Sequence, residues 1–474
     1  MTRTRIAPSP TGFPHVGTIF QALFDYILAR QGAGQFLVRI EDTDQSRKVE
    51  GAEEAIFDAL EWVHLSPDES VKNEGDVGPY RQSERLDIYK KYADQLIEQG
   101  NAYYCFCSSE RLSEVRAQMQ KDGKPPMYDK HCRNLDPAEA SQRAQIENHV
   151  VRMKIPENET ITFTDEIRGE ISFESATVDD QVIVKSDGFP TYHLAVVVDD
   201  HLMKITHMIR GEEWISSTPK HVLLYRYFNW QMPKIIHTPL LRNPDKSKLS
   251  KRHGHASVAW YQDNGYLPEA LINFLATRVW NHPEGLEVFS LEDLIKHFKV
   301  QDMNIQGPIA DLDKLNWYNG LYIRQLSDED LFEKVQPYVT EQLLESQVRG
   351  IIPLVKERMV TLTDINELSD FLYNYHEPQA DKLLKKADVE SVTIQLSQTI
   401  SKLNGLDSWS VELIEKVIRD LQAENDWNRG QYFMMLRWAV TGKKATPPLF
   451  ETIEVIGKEE VIERLEMVQK LILK

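Results

Sequence analysis

A chain of 474 residues with 41% hydrophobic and 27% charged side chains exceeds what one hydrophobic core serves, so several folded domains are expected and a disordered or fibrous polymer is excluded. The net charge of −18 argues against a generic nucleic-acid binder, whose surface is basic, but leaves room for an enzyme with a local positive track that releases RNA rapidly. No apolar run reaches membrane-spanning length, Pro8, Ser9, Pro10 and Gly12 stand where a signal peptide needs an apolar segment, and three cysteines are too few for a disulfide scaffold, so a cytoplasmic protein is expected.

Residues 4–7 are short and extended, enough for one strand. Pro8, Pro10, Gly12 and Pro14 then forbid a regular element, because each proline lacks a donor and restrains its predecessor. Ile19, Leu23 and Ile27, with Phe20 and Phe24, recur at helical spacing and predict a buried helix from near Thr18 to about Arg30. Strand, stiff turn and helix leave His15 and Gly17 where backbone N–H groups and the positive helix end point outward, which suits a phosphate or serves simply as a turn and cap. Val38-Arg39-Ile40 reads as a second strand, with Glu41, Asp42 and Asp44 at its carboxyl end, where parallel α/β sheets put ligands. Those carboxylates either cap a solvated turn or hold a substrate ammonium. Helical patterns follow over residues 52–65 and from Pro79 onward; Tyr80 and Arg81 read as RNA or backbone contacts or as helix surface.

The segment of residues 103–190 carries every cysteine, Cys105, Cys107 and Cys132. Thiols confined in this way suit zinc, which takes four tetrahedral ligands, with inert thiols as the alternative. Short strands are expected around Val150–Met153, residues 161–163 and Val182–Val184. Val196-Val197-Val198 is fully apolar and predicts a strand covered on both faces, ended by Asp199-Asp200-His201. Arg210 follows another apolar pair, and it is either a surface residue, the commoner case, or one whose planar donors match a carboxylate in bidentate fashion. Thr218-Pro219 starts a helix, and residues 240–245 read as a strand ending in a turn. The basic loop after it, Lys246 to Arg252, sets Ser250 between Lys248 and Lys251, either as a solubilising patch or as cationic arms that close over phosphates. From about Phe289 to Asp330 connecting helices are expected, with Leu312, Leu315 and Trp317 as core; beyond Asp330 no strand-like region of any length occurs, and helical patterns fill residues 330–345, 351–360, 365–373, 390–403, 411–425, 432–440 and 458–471.

HVGT at His15 to Thr18 and KLSKR at Lys248 to Arg252 resemble the two signature motifs of class I aminoacyl-tRNA synthetases. The words RIAPSPTG, RIEDTD, GPYRQSERL, PTYHLA, VVDDH and RNPDKSKLSKR are similar to those of the bacterial glutamyl-tRNA synthetase family. The resemblance covers essentially the whole chain and is most specific in its first two thirds. It implies an α/β fold: a Rossmann-like parallel-sheet catalytic core (1–102 and 191–255), an inserted α+β acceptor-stem domain (103–190), a helical connecting domain (256–330) and an all-helical anticodon-binding region (331–474). It implies ATP, Mg²⁺, glutamate and tRNA(Glu) as reactants in a monomeric ligase, with His15, Gly17, Lys248, Ser250 and Lys251 acting on the phosphates. Arg5, Ser9, Glu41, Tyr192 and Arg210 would take the amino acid, and Arg358 with the loop of Thr446, Pro447 and Leu449 would meet the anticodon.

Some members of that family bind zinc through paired cysteines and a later cysteine with histidine or tyrosine. Asn134 here occupies the histidine place, which leaves Tyr128 as fourth ligand beside Cys105, Cys107 and Cys132, with His131 as understudy. His193 in place of a commoner asparagine and Glu213-Trp214 in place of Asp-His are further departures. A nondiscriminating enzyme that also charges tRNA(Gln) stays open. So do two other classes: a nucleotidyltransferase of related fold, which would not need the helical extension, and a non-catalytic RNA-binding protein, which would not need Glu41 and Arg210 beside a phosphate loop.

Overall fold

The computed structural model describes residues 1–247, 249, 256–384 and 387–473. The chain divides into two compact units, Met1–Trp260 with Leu271–Asp311, and Tyr261–Ala270 with Leu312–Lys474. None of the described helices is long and apolar enough to cross a membrane.

The first unit opens with β1 (Arg3–Ile6), α1 (Val16–Gln31) and β2 (Gln35–Val38); the strands are parallel, Arg3 opposite Gln35 and Ile6 opposite Val38. Ile19, Leu23, Phe24 and Ile27 are all buried on α1, as their spacing requires. Beyond Val38 the chain stays extended for two residues, since Ile40 N donates to Tyr80 O at 2.9 Å and accepts through its carbonyl from Gln82 N at 3.0 Å. α2 (Ala52–Trp62), α3 (Leu86–Glu98), β3 (Ala102–Cys105), α4 (Ser109–Lys121), α5 (Pro137–Ala144), β4 (Val150–Met153), β5 (Thr160–Asp165), β6 (Gly169–Glu174) and β7 (Val182–Val184) follow. Next come α6 (Tyr192–Leu202), β8 (His207–Gly211), α7 (Thr218–Tyr227) and β9 (Lys234–Thr238).

β3, β4 and β7 form an antiparallel sheet, whereas the β5–β6 hairpin joins the later strands in a sheet ordered β6-β5-β9-β8. β8 and β9 are parallel in register from His207–Lys234 to Gly211–Thr238, and Asp165 of β5 lies opposite Ile235 of β9. Thr206 N donates to Arg3 O at 2.9 Å, tying the start of β8 to β1. α8 (Val258–Asp263), α9 (Pro268–Thr277) and α10 (Leu291–His297) come after β9.

The helices of the second unit are α11 (Leu312–Gln325), α12 (Asp328–Val335), α13 (Glu345–Val355), α14 (Asp364–Ser369), α15 (Ala380–Leu384), α16 (Val389–Asn404), α17 (Val411–Glu424), α18 (Arg429–Thr441), α19 (Leu449–Ile456) and α20 (Lys458–Ile472). Val392, Leu396 and Leu403 of α16 share one core with Val461, Leu465 and Val468 of α20. The helix starts are set by side chains: Asp388 accepts from Ser391 N at 2.7 Å, and Asn428 from Gln431 N at 3.0 Å. Gly442 ends α18 with φ 69°; a Cβ there would lie 2.1 Å from His376 O, so both conformation and space demand glycine.

Several expected elements differ. Val196-Val197-Val198 is helix, not strand: Leu194 to Val198 are at most 2% exposed on every side of α6, and a helix buried all round has the same apolar run as a buried strand. Residues 240–245 form no strand, only one bridge from Arg242 to Ile309, because Pro239 and Pro244 remove ladder donors. The pattern over residues 330–345 is broken after Val335 by Pro337, which lies in a 3₁₀ turn, Gln336–Tyr338. The pattern over 351–360 ends as a helix at Val355 and continues as the turn Lys356–Arg358. Trp317 is not core but 39% exposed, with Lys314 Nζ 3.7 Å from its ring centre; Leu315 is buried. Tyr80 is fully buried rather than on the surface, its hydroxyl donating to Glu69.

Two acids at the end of α6 hold the first unit together electrostatically. Asp200 takes a bidentate pair from Arg5 at 2.9 and 2.9 Å and a further bond from Arg39 at 2.7 Å. Asp199 accepts from Arg85 at 2.7 Å, Tyr89 at 2.8 Å and Gln82 at 2.9 Å, and Arg39 reaches Glu41 at 3.0 Å. All six charged groups are buried. Burial alone would raise the Asp200 carboxyl, but Arg5 and Arg39 hold it below its usual range. Replacing Asp200 by Ala strands the buried Arg5 guanidinium and removes one of the carboxylates around Arg39; urea unfolding should register a loss of about 3–5 kcal/mol.

Candidate active site

A cleft of about 450 Å³ opens where β1, the turn before α1, α6 and β8 converge, and Arg5, Ser9, His15, Gly17, Glu41, Tyr192, Arg210, Trp214 and Leu249 line it. Arg5, Ser9, His15, Gly17, Glu41, Tyr192 and Arg210, expected from the sequence, therefore face one space, whereas Asp42 and Asp44 do not line it. His15 is the N-cap of α1: its Nδ1 accepts from Gly17 N at 3.0 Å, which leaves the ring hydrogen of the neutral form on Nε2. The side chain is thus fixed at the positive end of a sixteen-residue helix, a place that favours an anion.

Lys248, Ser250 and Lys251 lie outside the described residues. Their described neighbours border the cleft: Leu249 is part of its wall, and Ser257 bridges to His15 while Val258 N donates to Pro14 O at 3.1 Å.

The opposite end of the cleft is rich in charge. Arg5 is fixed by Asp200 and by Ile209 O, which accepts from its Nη1 at 3.2 Å. Burial raises the Glu41 carboxyl above its usual range, although Arg39 and Arg5 oppose the shift. The Tyr192 ring lies against Trp214, centroids 4.3 Å apart, and its hydroxyl accepts from Arg210 Nη1 at 3.4 Å. Arg210 is 3% exposed. Its other partners are His237 Nε2 at 3.0 Å, His221 Nδ1 at 3.0 Å and Thr218 Oγ1 at 2.7 Å.

The sequence reading missed His221, His237 and Thr218, and also Gln21, which lines the cleft and donates to Ile209 O at 3.0 Å. A histidine on an apolar helix or strand gives no spacing signal that separates a core residue from a site residue. Asp42 does not face the cleft; it is 4% exposed and accepts from Ser83 N and Oγ at 2.8 and 2.7 Å.

Cys105, Cys107 and Cys132 converge with Tyr128. The phenol oxygen lies 3.3 Å from Cys105 Sγ and 3.5 Å from Cys107 Sγ, and Cys107 and Cys132 are 3.6 Å apart. The three sulfur atoms lie within 4.8 Å of one another. His131 is exposed and its backbone N–H turns to Asp129.

In the second unit Arg358 is exposed in the turn Lys356–Arg358, whereas Thr446, Pro447 and Leu449 are turned inward. Arg437 donates to Thr446 O at 3.2 Å and to Pro447 O at 2.6 Å. Burial and then the charge of Arg358 lower the Arg437 guanidinium.

A family model described as "tRNA synthetases class I (E and Q), catalytic domain" matches residues 1–317, and one described as "Anticodon binding domain" matches residues 330–469. The chain is similar to the glutamate–tRNA ligase of a Thermus thermophilus strain, 46% identical over 98% of this chain and 99% of that one. It is equally similar to that of Gloeobacter violaceus, 46% identical over 98% and 94%. Among solved structures, a glutamate tRNA ligase from Elizabethkingia meningosepticum in complex with its amino acid superposes with a TM-score of 0.90 at 36% identity, covering 99% of each chain.

The imidazoles around Arg210 carry a pH signature. Burial, then Lys220 and Arg210, push His193 down to about 3 from an ordinary 6.5, and burial lowers His221 and His237 as well. Below the ordinary value the unfolded chain binds protons that the folded chain refuses, so stability is present above it and lost as pH falls. The urea midpoint should hold above about pH 6.5 and decline steadily toward about pH 4; the His193→Asn variant should show a shallower decline.

Proposed function

The chain belongs to the bacterial glutamate–tRNA ligases, a class I synthetase family, and from that membership we propose how its residues divide the work. The reaction joins L-glutamate to tRNA(Glu) at the expense of ATP. The α-carboxylate of glutamate attacks the α-phosphate of ATP, giving glutamyl adenylate and pyrophosphate. The terminal ribose hydroxyl of the tRNA then attacks the activated carbonyl, and AMP leaves. Because the substrate carboxylate is itself the nucleophile, no protein nucleophile is needed; the protein aligns the reactants and stabilises charge on the phosphate oxygens.

The observation that carries the reading is the single cleft that gathers a helix N-terminus capped by His15 with Arg5, Glu41, Tyr192 and Arg210. His15 Nε2 and the positive end of α1 at Gly17 serve the phosphates. Lys248, Ser250 and Lys251 act with them, a reading supported by Leu249 in the cleft wall and by the bridge from Ser257 to His15. Glu41 takes the ammonium of glutamate; Arg210, with Tyr192, takes its side-chain carboxylate; Arg5 and Ser9 complete the pocket. An amide in place of that carboxylate would turn an N–H toward a cation and lose the charge pairing, which disfavours glutamine. Mg²⁺ enters on the ATP phosphates and needs no all-protein cage.

Arg358, exposed beside Arg437, is the residue we assign to the anticodon, and it favours an enzyme specific for tRNA(Glu). Activation of glutamate waits for bound tRNA in this reading. Cys105, Cys107, Cys132 and Tyr128 fit a structural Zn²⁺: three soft sulfur donors and one phenol oxygen are already clustered, the donor number zinc prefers. The ion would cross-link the segment around α4 and takes no part in the chemistry.

Charging purified tRNA(Glu) and tRNA(Gln) in parallel tests the assignment: glutamate should be esterified to the first and not the second. Replacing Lys251 by Ala should lower the turnover of tRNA-dependent ATP–pyrophosphate exchange about a hundredfold or more with little change in glutamate affinity; loss of affinity with unaltered single-turnover chemistry would refute its role. Metal analysis of the purified protein should find zinc in the native chain and none in Cys132→Ser.

A further inference from the structure

The cleft contains two arginines that are compensated in opposite ways. Arg5 is neutralised by the Asp200 carboxylate. Arg210 has no carboxylate within ion-pair distance among the described residues; its N–H groups meet two imidazole nitrogens and the oxygens of Thr218 and Tyr192. We infer that His221 and His237 are positioning residues for recognition of the substrate's side-chain carboxylate: each presents an unprotonated ring nitrogen to one N–H of Arg210, fixing the guanidinium without neutralising it. The inference rests on the reading that Arg210 faces that carboxylate.

The proton arrangement follows from the bonds. Asp165 Oδ2 lies 2.7 Å from His237 Nδ1, which keeps the ring hydrogen on that nitrogen and frees Nε2 to accept from Arg210 Nε. The backbone N–H of His237 bonds the same carboxylate oxygen at 3.0 Å, so the ring cannot reverse without losing its partner. His221 accepts through Nδ1, which puts its hydrogen on Nε2, 3.1 Å from His193 Nδ1. The Thr218 hydroxyl donates to Trp214 O at 3.0 Å and so turns a lone pair to Arg210.

Every charged neighbour but Asp165 keeps the rings neutral, and at His237 burial with Arg210 and Arg168 outweighs the opposing pull of Asp165. His221 is faced by Arg210, His193, Lys220 and His237. His237 is faced by Arg210 and Arg168 as well as by Asp165, whose carboxylate is already shared among four N–H contacts from His237, Ile167 and Arg168. A carboxylate in the place of either ring would orient Arg210 equally well but would cancel the charge that distinguishes glutamate from glutamine. Neutral acceptors supply orientation and leave the full charge for the ligand, in surroundings where an unpaired cation interacts strongly.

Asparagine places its oxygen near the position of an imidazole Nδ1, and glutamine near Nε2. The two histidines use different nitrogens, so the amides should act reciprocally. His221→Asn should keep the glutamate KM within about threefold of wild type while His221→Gln raises it about tenfold or more; His237→Gln should keep it and His237→Asn raise it by the same order. The ATP KM should stay within about twofold in all four. The same ranking of Asn and Gln at both positions, or no difference between them, would overturn the inference, because a merely structural role is blind to which nitrogen accepts.

Arg210→Lys separates the premise from the inference. If it leaves the glutamate KM unchanged, the premise falls; if it raises the KM while all four histidine variants match wild type, only the positioning role falls. The wild-type enzyme gives a second readout if a variant does not fold. Its glutamate KM should show no midpoint near 6.5, the ordinary imidazole value, between about pH 8 and about pH 5.5. A rise centred there would mean the rings titrate freely, and the inference would fail.

Discussion

The buried ion cluster on Asp199 and Asp200 is the constraint from which the cleft takes its shape. Arg5 and Glu41 are cleft residues, yet each is fixed from behind, Arg5 by Asp200 and Glu41 by Arg39. Because Arg39 also bonds Asp200, β1, the chain after β2 and the last turn of α6 cannot shift independently. Such a cluster contributes little net stability, since desolvation consumes most of the Coulombic gain. What it contributes is position: the partners tolerate few other arrangements once they are removed from water. Two adjacent acids at the end of an apolar helix are therefore the organising element of the first unit, although neither lines the cleft.

That cluster explains which parts of the molecule were legible in the sequence. The strand, turn and helix at the N-terminus were readable because prolines and apolar spacing act locally, and His15, Gly17, Arg5, Glu41, Tyr192 and Arg210 stood in recognisable words. α6 was not readable by period. Leu194 to Val198 are buried on every side, so the apolar run carries no phase, and the helix is specified instead by the distant arginines that Asp199 and Asp200 must reach. The partners of Arg210 were hidden for a related reason. His221 and His237 sit on α7 and β9 with no motif around them, and only the parallel pairing of β8 with β9 brings His237 opposite Arg210.

The second unit obeyed spacing more faithfully, because its helices carry ordinary amphipathic faces and side-chain caps. Its errors came from proline and from turns. Pro337 divided one expected helix, and α19 was hidden because Thr446-Pro447-Pro448 reads as a loop while Leu449 already begins a helix. The cysteine cluster was legible as composition, with three thiols in one segment, but the convergence of Tyr128 on them depends on tertiary packing.

The hairpin of β5 and β6 has one further consequence. Its strand β5 comes from the middle of the segment that interrupts the nucleotide-type core, yet Asp165 at its end bonds His237 in β9. The interrupting segment is thus no detachable appendage. A chimaera that transplanted residues 103–190 from a relative would exchange Asp165 as well, and with it the partner that fixes His237 beside Arg210, so a graft meant to alter the segment alone would be felt in the cleft.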